Sequence, residues 1–171
     1  METTLPLPGM EALVQPFKFP PTPQEFKVMA LRECPTPESM QTCDTPAKAA
    51  AYWQMHIATH PHYNPDCECL VVLFMNTRRK VKGHQLVSIG ILNQVLVHPR
   101  EVFRTAIVTA AHSILVMHNH PGGESTPSDA DLRMTRDLIR AGQLLKIELL
   151  DHIIVAPGNH TSLREHGHFH V

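Results

Sequence analysis

The chain reads as an α/β sandwich on a mixed sheet, and three observations predict it. From Cys67 onward, strand-like apolar runs alternate with helix-like patterns, the order that gives an α/β sandwich. The first two runs are joined only by the polar turn Thr77-Arg78-Arg79-Lys80, so they form a hairpin and the sheet is mixed. A chain of 171 residues with 43% hydrophobic content suits one globular domain plus an extension.

Nine of the 15 prolines precede residue 50. Pro6, Pro8, Pro16, Pro20, Pro21 and Pro23 keep residues 1–24 from sustaining a helix or a central strand. These residues read as an extended arm, either disordered or laid across a neighbour. Phe17 and Phe19 are its docking groups, and through them it is a candidate route to a homo-oligomer. Residues 25–64 read as an N-terminal strand and helix joined to the core. The strand is expected over 26–31. Thr45 is the N-cap of the helix and Pro46 its first residue, a position where the missing proline N–H costs nothing. The helix is expected to reach about residue 59, with Ala49, Tyr52, Trp53 and His56 on one face.

Residues 65–171 form the main domain. Strands are expected over 67–76 and 81–89. Pro99 starts a helix through Val102, Ala106, Ile107 and Ala110, and the apolar run Ile114-Leu115-Val116-Met117 is a buried strand reaching His120. A further helix opens at Ser128 and ends near Gly142; a last strand over 147–156 is closed by Pro157-Gly158. The tail His166-x-His168-x-His170 reads as a mobile terminus with a weak metal-binding pattern. There is no internal repeat.

Fifteen basic and 16 acidic side chains give a net charge of −1, without the basic stripe that nucleic-acid binding requires. Cys34, Cys43, Cys67 and Cys69 show no repeated pair spacing, and a Cys67–Cys69 bridge along one strand would be strained. They read as reduced thiols of a cytoplasmic protein, with a Cys34–Cys43 bridge as the open alternative. Glu2, with no basic start before an apolar core, argues against a signal peptide. The longest apolar run, Leu70 to Met75, is far too short to span a bilayer.

The most informative stretch is His118-Asn119-His120-Pro121-Gly122-Gly123-Glu124-Ser125-Thr126-Pro127-Ser128-Asp129-Ala130-Asp131. Two residues apart at a strand end, His118 and His120 point to the same side. Ser128 and Asp131, three apart at a helix start, share a face. Two His and one Asp make three ligands and leave a fourth zinc position open for water, the pattern of a catalytic site. Ser128-x-x-Asp131 is also a plausible N-cap, and the two roles are compatible, since Ser128 can begin the helix while Asp131 turns inward. Glu68 interrupts the apolar strand Cys67-Glu68-Cys69-Leu70-Val71-Val72, where a carboxylate is costly without a partner. That makes it the candidate general acid/base, against the alternative of a solvated strand end after Pro65 and Asp66. Glu101 and Glu124 compete for the role, although a first-turn Glu101 is simply explained by the helix dipole. His152 is either a partner of a zinc ligand or a satisfied buried histidine.

His-x-His-Pro followed by Ser-x-x-Asp resembles the signature of the JAMM (MPN-type) metalloproteases. His98-Pro99-Arg100-Glu101-Val102-Phe103-Arg104, His118 to Gly123, and Leu150-Asp151-His152-Ile153-Ile154-Val155 look like the RadC branch of that family. The resemblance runs from about residue 67 to about 163. It implies the cytidine-deaminase-like JAMM/MPN fold and one zinc ion per chain, held by His118, His120 and Asp131. It further implies Glu68 as general acid/base and Ser128 as a donor to the oxyanion. Asn119 stands where many eukaryotic members have Ser or Thr.

Three functions follow. The complete ligand set favours a zinc-dependent hydrolase of peptide or isopeptide bonds, acting on a protein or peptide substrate. An MPN-type binding module without turnover is the alternative that a missing ligand would favour, and none is missing. A DNA-associated accessory role rests on the RadC name alone, and the charge balance opposes it. A zinc nucleobase deaminase is excluded, because no His-x-Glu with a later Pro-Cys-x-x-Cys is present.

Overall fold

The computed structural model of the protein describes residues 42–90 and 97–169. The proline-rich arm, the strand expected over 26–31, Cys34 and His170 lie outside the described residues. Helix α1 (Pro46–Tyr52) passes directly into a π-helical turn, Trp53–Ile57. Then come β1 (Cys69–Met75), β2 (Val81–Ile89), α2 (Pro99–Val108), β3 (Ser113–Asn119), α3 (Asp129–Leu145), β4 (Glu148–Ala156) and β5 (Asn159–Ser162). The sheet order is β2-β1-β3-β4-β5, with β3 and β4 parallel and the other neighbours antiparallel. The mixed α/β sandwich is therefore the architecture found.

β1 and β3 are buried along their whole length because both faces of the sheet are covered. Alternate residues divide between two cores, as strand geometry requires. On one face Val71, Leu73, Leu115, Met117, Ile153 and Val155 pack with Ala49, Trp53 and Ile57. On the other, Leu70, Val72, Ile114, Val116 and Leu149 meet Val102, Phe103, Ala106 and Leu138 from α2 and α3. His118 and His152 fall on the second face, at the end of the sheet where α3 begins.

Helix starts follow their capping residues. Thr45 accepts a bond from Lys48 N, and the His98 side chain accepts one from Arg100 N ahead of Pro99. Departures from the sequence reading have local causes. His56 is exposed and Ile57 is buried in its place, because the Ala58 N–H reaches back five residues to Trp53 O and turns the face. Ile107 is 57% exposed, and α2 ends before Ala110, which takes a left-handed φ of 47°. Gly142 is not the end of α3 but sits inside it, where a Cβ would lie 2.5 Å from Ile147 O; Lys146, at φ 58°, is the left-handed cap. β5 is an unexpected strand, paired to β4 through the Pro157-Gly158 turn. The tail expected to be mobile is hydrogen-bonded in its described part, with His166 Nδ1 donating to Ser162 O, His168 N–H to Leu163 O, and Arg164 over the Phe169 ring at 4.6 Å, while His166 and His168 stay exposed. β1 begins at Cys69, so Glu68 stands just before the strand and not within it.

Candidate metal centre

The centre forms where β3 ends and α3 begins. His118 is the sixth residue of β3 and only 1% exposed. His120 lies just past the strand, but its N–H still bonds to Val155 O, which keeps its side chain on the side of His118. The two Nε2 atoms are 3.0 Å apart. Asp131 Oδ1 is 3.1 Å from His118 Nε2, and Asp131 Oδ2 is 3.5 Å from His120 Nε2. Among the described residues, these three form the group whose ligand atoms converge closely enough to hold a metal ion, all within 4.8 Å of one another.

The loop between the halves is tied at several points. The Gly123 N–H returns to His120 O with φ at 89°, a conformation that glycine adopts without penalty. Buried Ser125 shares a 2.7 Å hydroxyl contact with Thr161 on β5. Ser128 then caps α3 in a capping box: its Oγ accepts from Asp131 N, while its own N–H donates to Asp131 Oδ2. The Ser128 hydroxyl proton also goes to Asp131 Oδ2, at 2.6 Å. Burial alone would raise the Asp131 pKa. The two facing imidazoles and the Ser128 hydroxyl outweigh burial and hold the carboxylate far below its usual range, in the form that binds metal.

The hydrogen-bond network assigns the imidazole tautomers. The Thr135 hydroxyl donates to the Asp131 carbonyl at 2.6 Å, so toward His152 it can only accept, from Nδ1 at 2.6 Å. Burial pushes the His152 pKa well down and keeps the ring neutral, so its Nε2 carries a lone pair. His118 Nδ1 must then donate to that nitrogen, at 2.8 Å. His120 Nδ1 donates to Glu124 O, at 2.8 Å. Each ligand histidine thus has its proton on Nδ1 and presents an unprotonated Nε2. Two lone pairs 3.0 Å apart beside a carboxylate repel unless a cation lies among them. Contact with Asp131 raises the His120 pKa against the effect of burial, so positive charge is favoured at this point. The donor set therefore fits a metal ion.

Glu68 faces this centre. Burial, the largest influence, raises its carboxyl pKa; His118 and His120 pull it down, and Asp131 pushes it up. Its position is set by Asn119, whose Oδ1 accepts from Cys69 N at 2.8 Å and whose Nδ2 donates to Cys67 O at 3.0 Å. The backbone on either side of Glu68 is clamped by one side chain. Glu101 is occupied elsewhere, pairing with Arg104 at 2.7 Å in the first turn of α2. Glu124 is exposed and contributes only its carbonyl. Asp151 is buried under bonds from Ser162, His152 N and Arg164 N, outside the converging group. Thr135 was missed in the sequence, although it lies four residues after Asp131 and so on the same helix face.

Residues 43–168, well over half of the chain, match the family described as the RadC-like JAB domain. The chain is 48% identical over 100 residues to a UPF0758 protein of Chlorobium chlorochromatii, covering 58% of this chain and 45% of that one. It is 41% identical over 128 residues to a UPF0758 protein of Staphylococcus carnosus, covering 73% and 53%. A UPF0758 protein of Methanosarcina mazei is 41% identical over 100 residues, covering 58% and 44%. The chain spans about half the length of these curated relatives. It belongs to the RadC-like JAB domain family.

Proposed function

We propose that this RadC-like JAB domain is a zinc-dependent hydrolase of peptide or isopeptide bonds. The observation that carries this reading is the pair of Nδ1-anchored imidazoles. Their free Nε2 atoms meet an ionised carboxylate beside a half-buried glutamate. His118, His120 and Asp131 would hold the ion, which when bound supplies Lewis acidity that activates water and polarises a carbonyl. Glu68 takes the proton of the attacking water and delivers it to the leaving nitrogen. Its raised pKa suits both halves of that transfer, because such a carboxyl is a stronger base than an ordinary one and still gives up its proton. Ser128 holds Asp131 in register. To donate to an oxyanion it must turn its hydroxyl away from Asp131 Oδ2.

The test compares zinc-loaded protein with chelated protein, using an unstructured peptide mixture read by mass spectrometry. Zinc-dependent cleavage with one equivalent per chain supports the reading. A fully zinc-loaded protein that cleaves no peptide favours a binding module. Among the described residues no helix is long and apolar enough to cross a membrane.

A further inference from the structure

A cavity of about 440 Å³ lies at the same end of the sheet as the metal centre, on the opposite face from Asp131. His120 belongs to both the cavity wall and the centre, and Asn119, which holds the segment carrying Glu68, lines the cavity beside it. The cavity floor is Val155 and Ala156, both buried at the end of β4. Its far wall is the π-helical turn, with Trp53 and Ala58 joined by the i to i+5 bond of 2.9 Å. Such turns recur at functional sites, because the extra residue shifts side chains off the regular helical face. Here the shift leaves small Ala58 on the wall. Tyr63 is fixed edge-on against Trp53, with centroids 5.9 Å apart and planes at 86°.

We propose that this cavity receives the side chain of a residue flanking the scissile bond, and that it selects substrates with a bulky apolar residue, leucine- to phenylalanine-sized, at that position. The inference rests on the hydrolase reading above and names its substrate class. The volume falls within the range of about 300–1,000 Å³ typical of ligand pockets. Aromatic, aliphatic and proline surfaces line most of it, and the prolines make it rigid before anything binds. No Lys or Arg lines it, and Asp66 is its one carboxylate, so acidic side chains are disfavoured there. The cavity and the metal centre share His120, so a polypeptide with its carbonyl at the converging Nε2 atoms would cross the end of the sheet at His120 to place a neighbouring side chain in this opening.

The probes are two metal-chelating hydroxamates, acetohydroxamate and phenylacetohydroxamate, titrated calorimetrically into zinc-loaded protein. The phenyl group should improve affinity about tenfold or more by leaving water for the cavity. Ala58→Trp, which fills the cavity from a partly buried helix end, should abolish that advantage while zinc content and acetohydroxamate affinity are unchanged; Ala58→Leu, a smaller plug, should reduce it in the same direction if the tryptophan variant does not fold. Equal affinity for the two probes in the parent protein, or an advantage that survives in a folded Ala58 variant, overturns the pocket assignment and leaves the metal centre standing. Failure of both probes to bind fully zinc-loaded protein overturns the open-metal reading and the pocket with it.

Discussion

Nδ1 of His118 lies 2.8 Å from Nε2 of His152, and this contact decides which nitrogen of His118 faces the metal centre. His152 comes from the neighbouring parallel strand and is itself oriented by Thr135. The relay Thr135–His152–His118 fixes a tautomer before any ion arrives, so binding need not wait for a ring flip or a proton shift.

The first prediction follows from that relay. Thr135→Val keeps the side-chain shape but leaves His152 Nδ1 without its acceptor, and His152→Ala removes the anchor of His118. Each should weaken zinc binding, by about 10- to 100-fold for partners of this kind, with His152→Ala the larger effect. Competition with a chromophoric chelator checks it. Unaltered affinity in both variants would mean that the His118 ring is oriented by packing alone.

Glu68→Gln should retain zinc and fold, while any hydrolytic activity falls by about 10²–10⁴, because an amide cannot accept the proton of water. Metal analysis beside single-turnover peptide hydrolysis separates the two effects. Glu101→Gln is the control, since Glu101 is engaged with Arg104 on α2.

Asn119→Ala should cost about 1–3 kcal/mol of stability, because it strands the buried Cys69 N–H without an acceptor. It should also lower activity more than zinc affinity, since the Asn119 side chain touches the segment holding Glu68 and not the ligands. Asn119→Ser, too short to span both contacts, should fall between parent and alanine in urea-melt midpoint.

The convergence of His118, His120 and Asp131 was legible in the sequence because strand and helix periodicity each act over a few residues, and the three lie within 118–131. The second layer was less so. Thr135 and His152 meet His118 only through the parallel pairing of β3 and β4, a long-range register that local pattern does not encode. The π-helical turn escaped for a related reason: a 3.6-residue period assumed through Trp53 puts His56 inward, where the structure has Ile57. β5 has the polar sequence Asn159-His160-Thr161-Ser162, without apolar alternation, and is a strand because β4 offers it an edge. Glu68 was read within a strand, and its real place, held just ahead of β1 by Asn119, depends on a contact about fifty positions away.

A pH prediction concerns His84, away from the centre. Its Nδ1 is 2.8 Å from Tyr52 Oη, and burial foremost, then the nearby His60 and His56, lowers its pKa below the ordinary 6.5. The fold prefers the neutral ring, whereas the unfolded chain takes up a proton near pH 6.5. This contribution is therefore complete above that pH and is lost as pH falls toward the folded value. His84→Gln should flatten the decline of the urea midpoint between pH 7.5 and 5.5. An equally steep decline in the variant would assign the acid sensitivity to other groups.

The last prediction sets two opposed effects at Gly142 against each other. Glycine within a helix costs about 1 kcal/mol relative to alanine, so Gly142→Ala gains that much if nothing else changes. The added Cβ, however, would lie 2.5 Å from Ile147 O and 3.3 Å from Phe103 Cζ. The Phe103 ring can yield a little, but the Ile147 carbonyl cannot move freely. It belongs to the turn in which the Ile147 N–H bonds Gly142 O and Lys146 holds its left-handed cap. Displacing such a turn costs about 1–3 kcal/mol in overpacking, often more when backbone must shift. Clash should therefore outweigh propensity, and Gly142→Ala should be net destabilising by urea denaturation with unchanged m-value. Because α3 carries Asp131 in its first turn, at the opposite end from Gly142, zinc affinity should remain that of the parent. A stabilised variant would show that the end of α3 relaxes at little cost, and that Gly142 is not required by its close approach to Ile147.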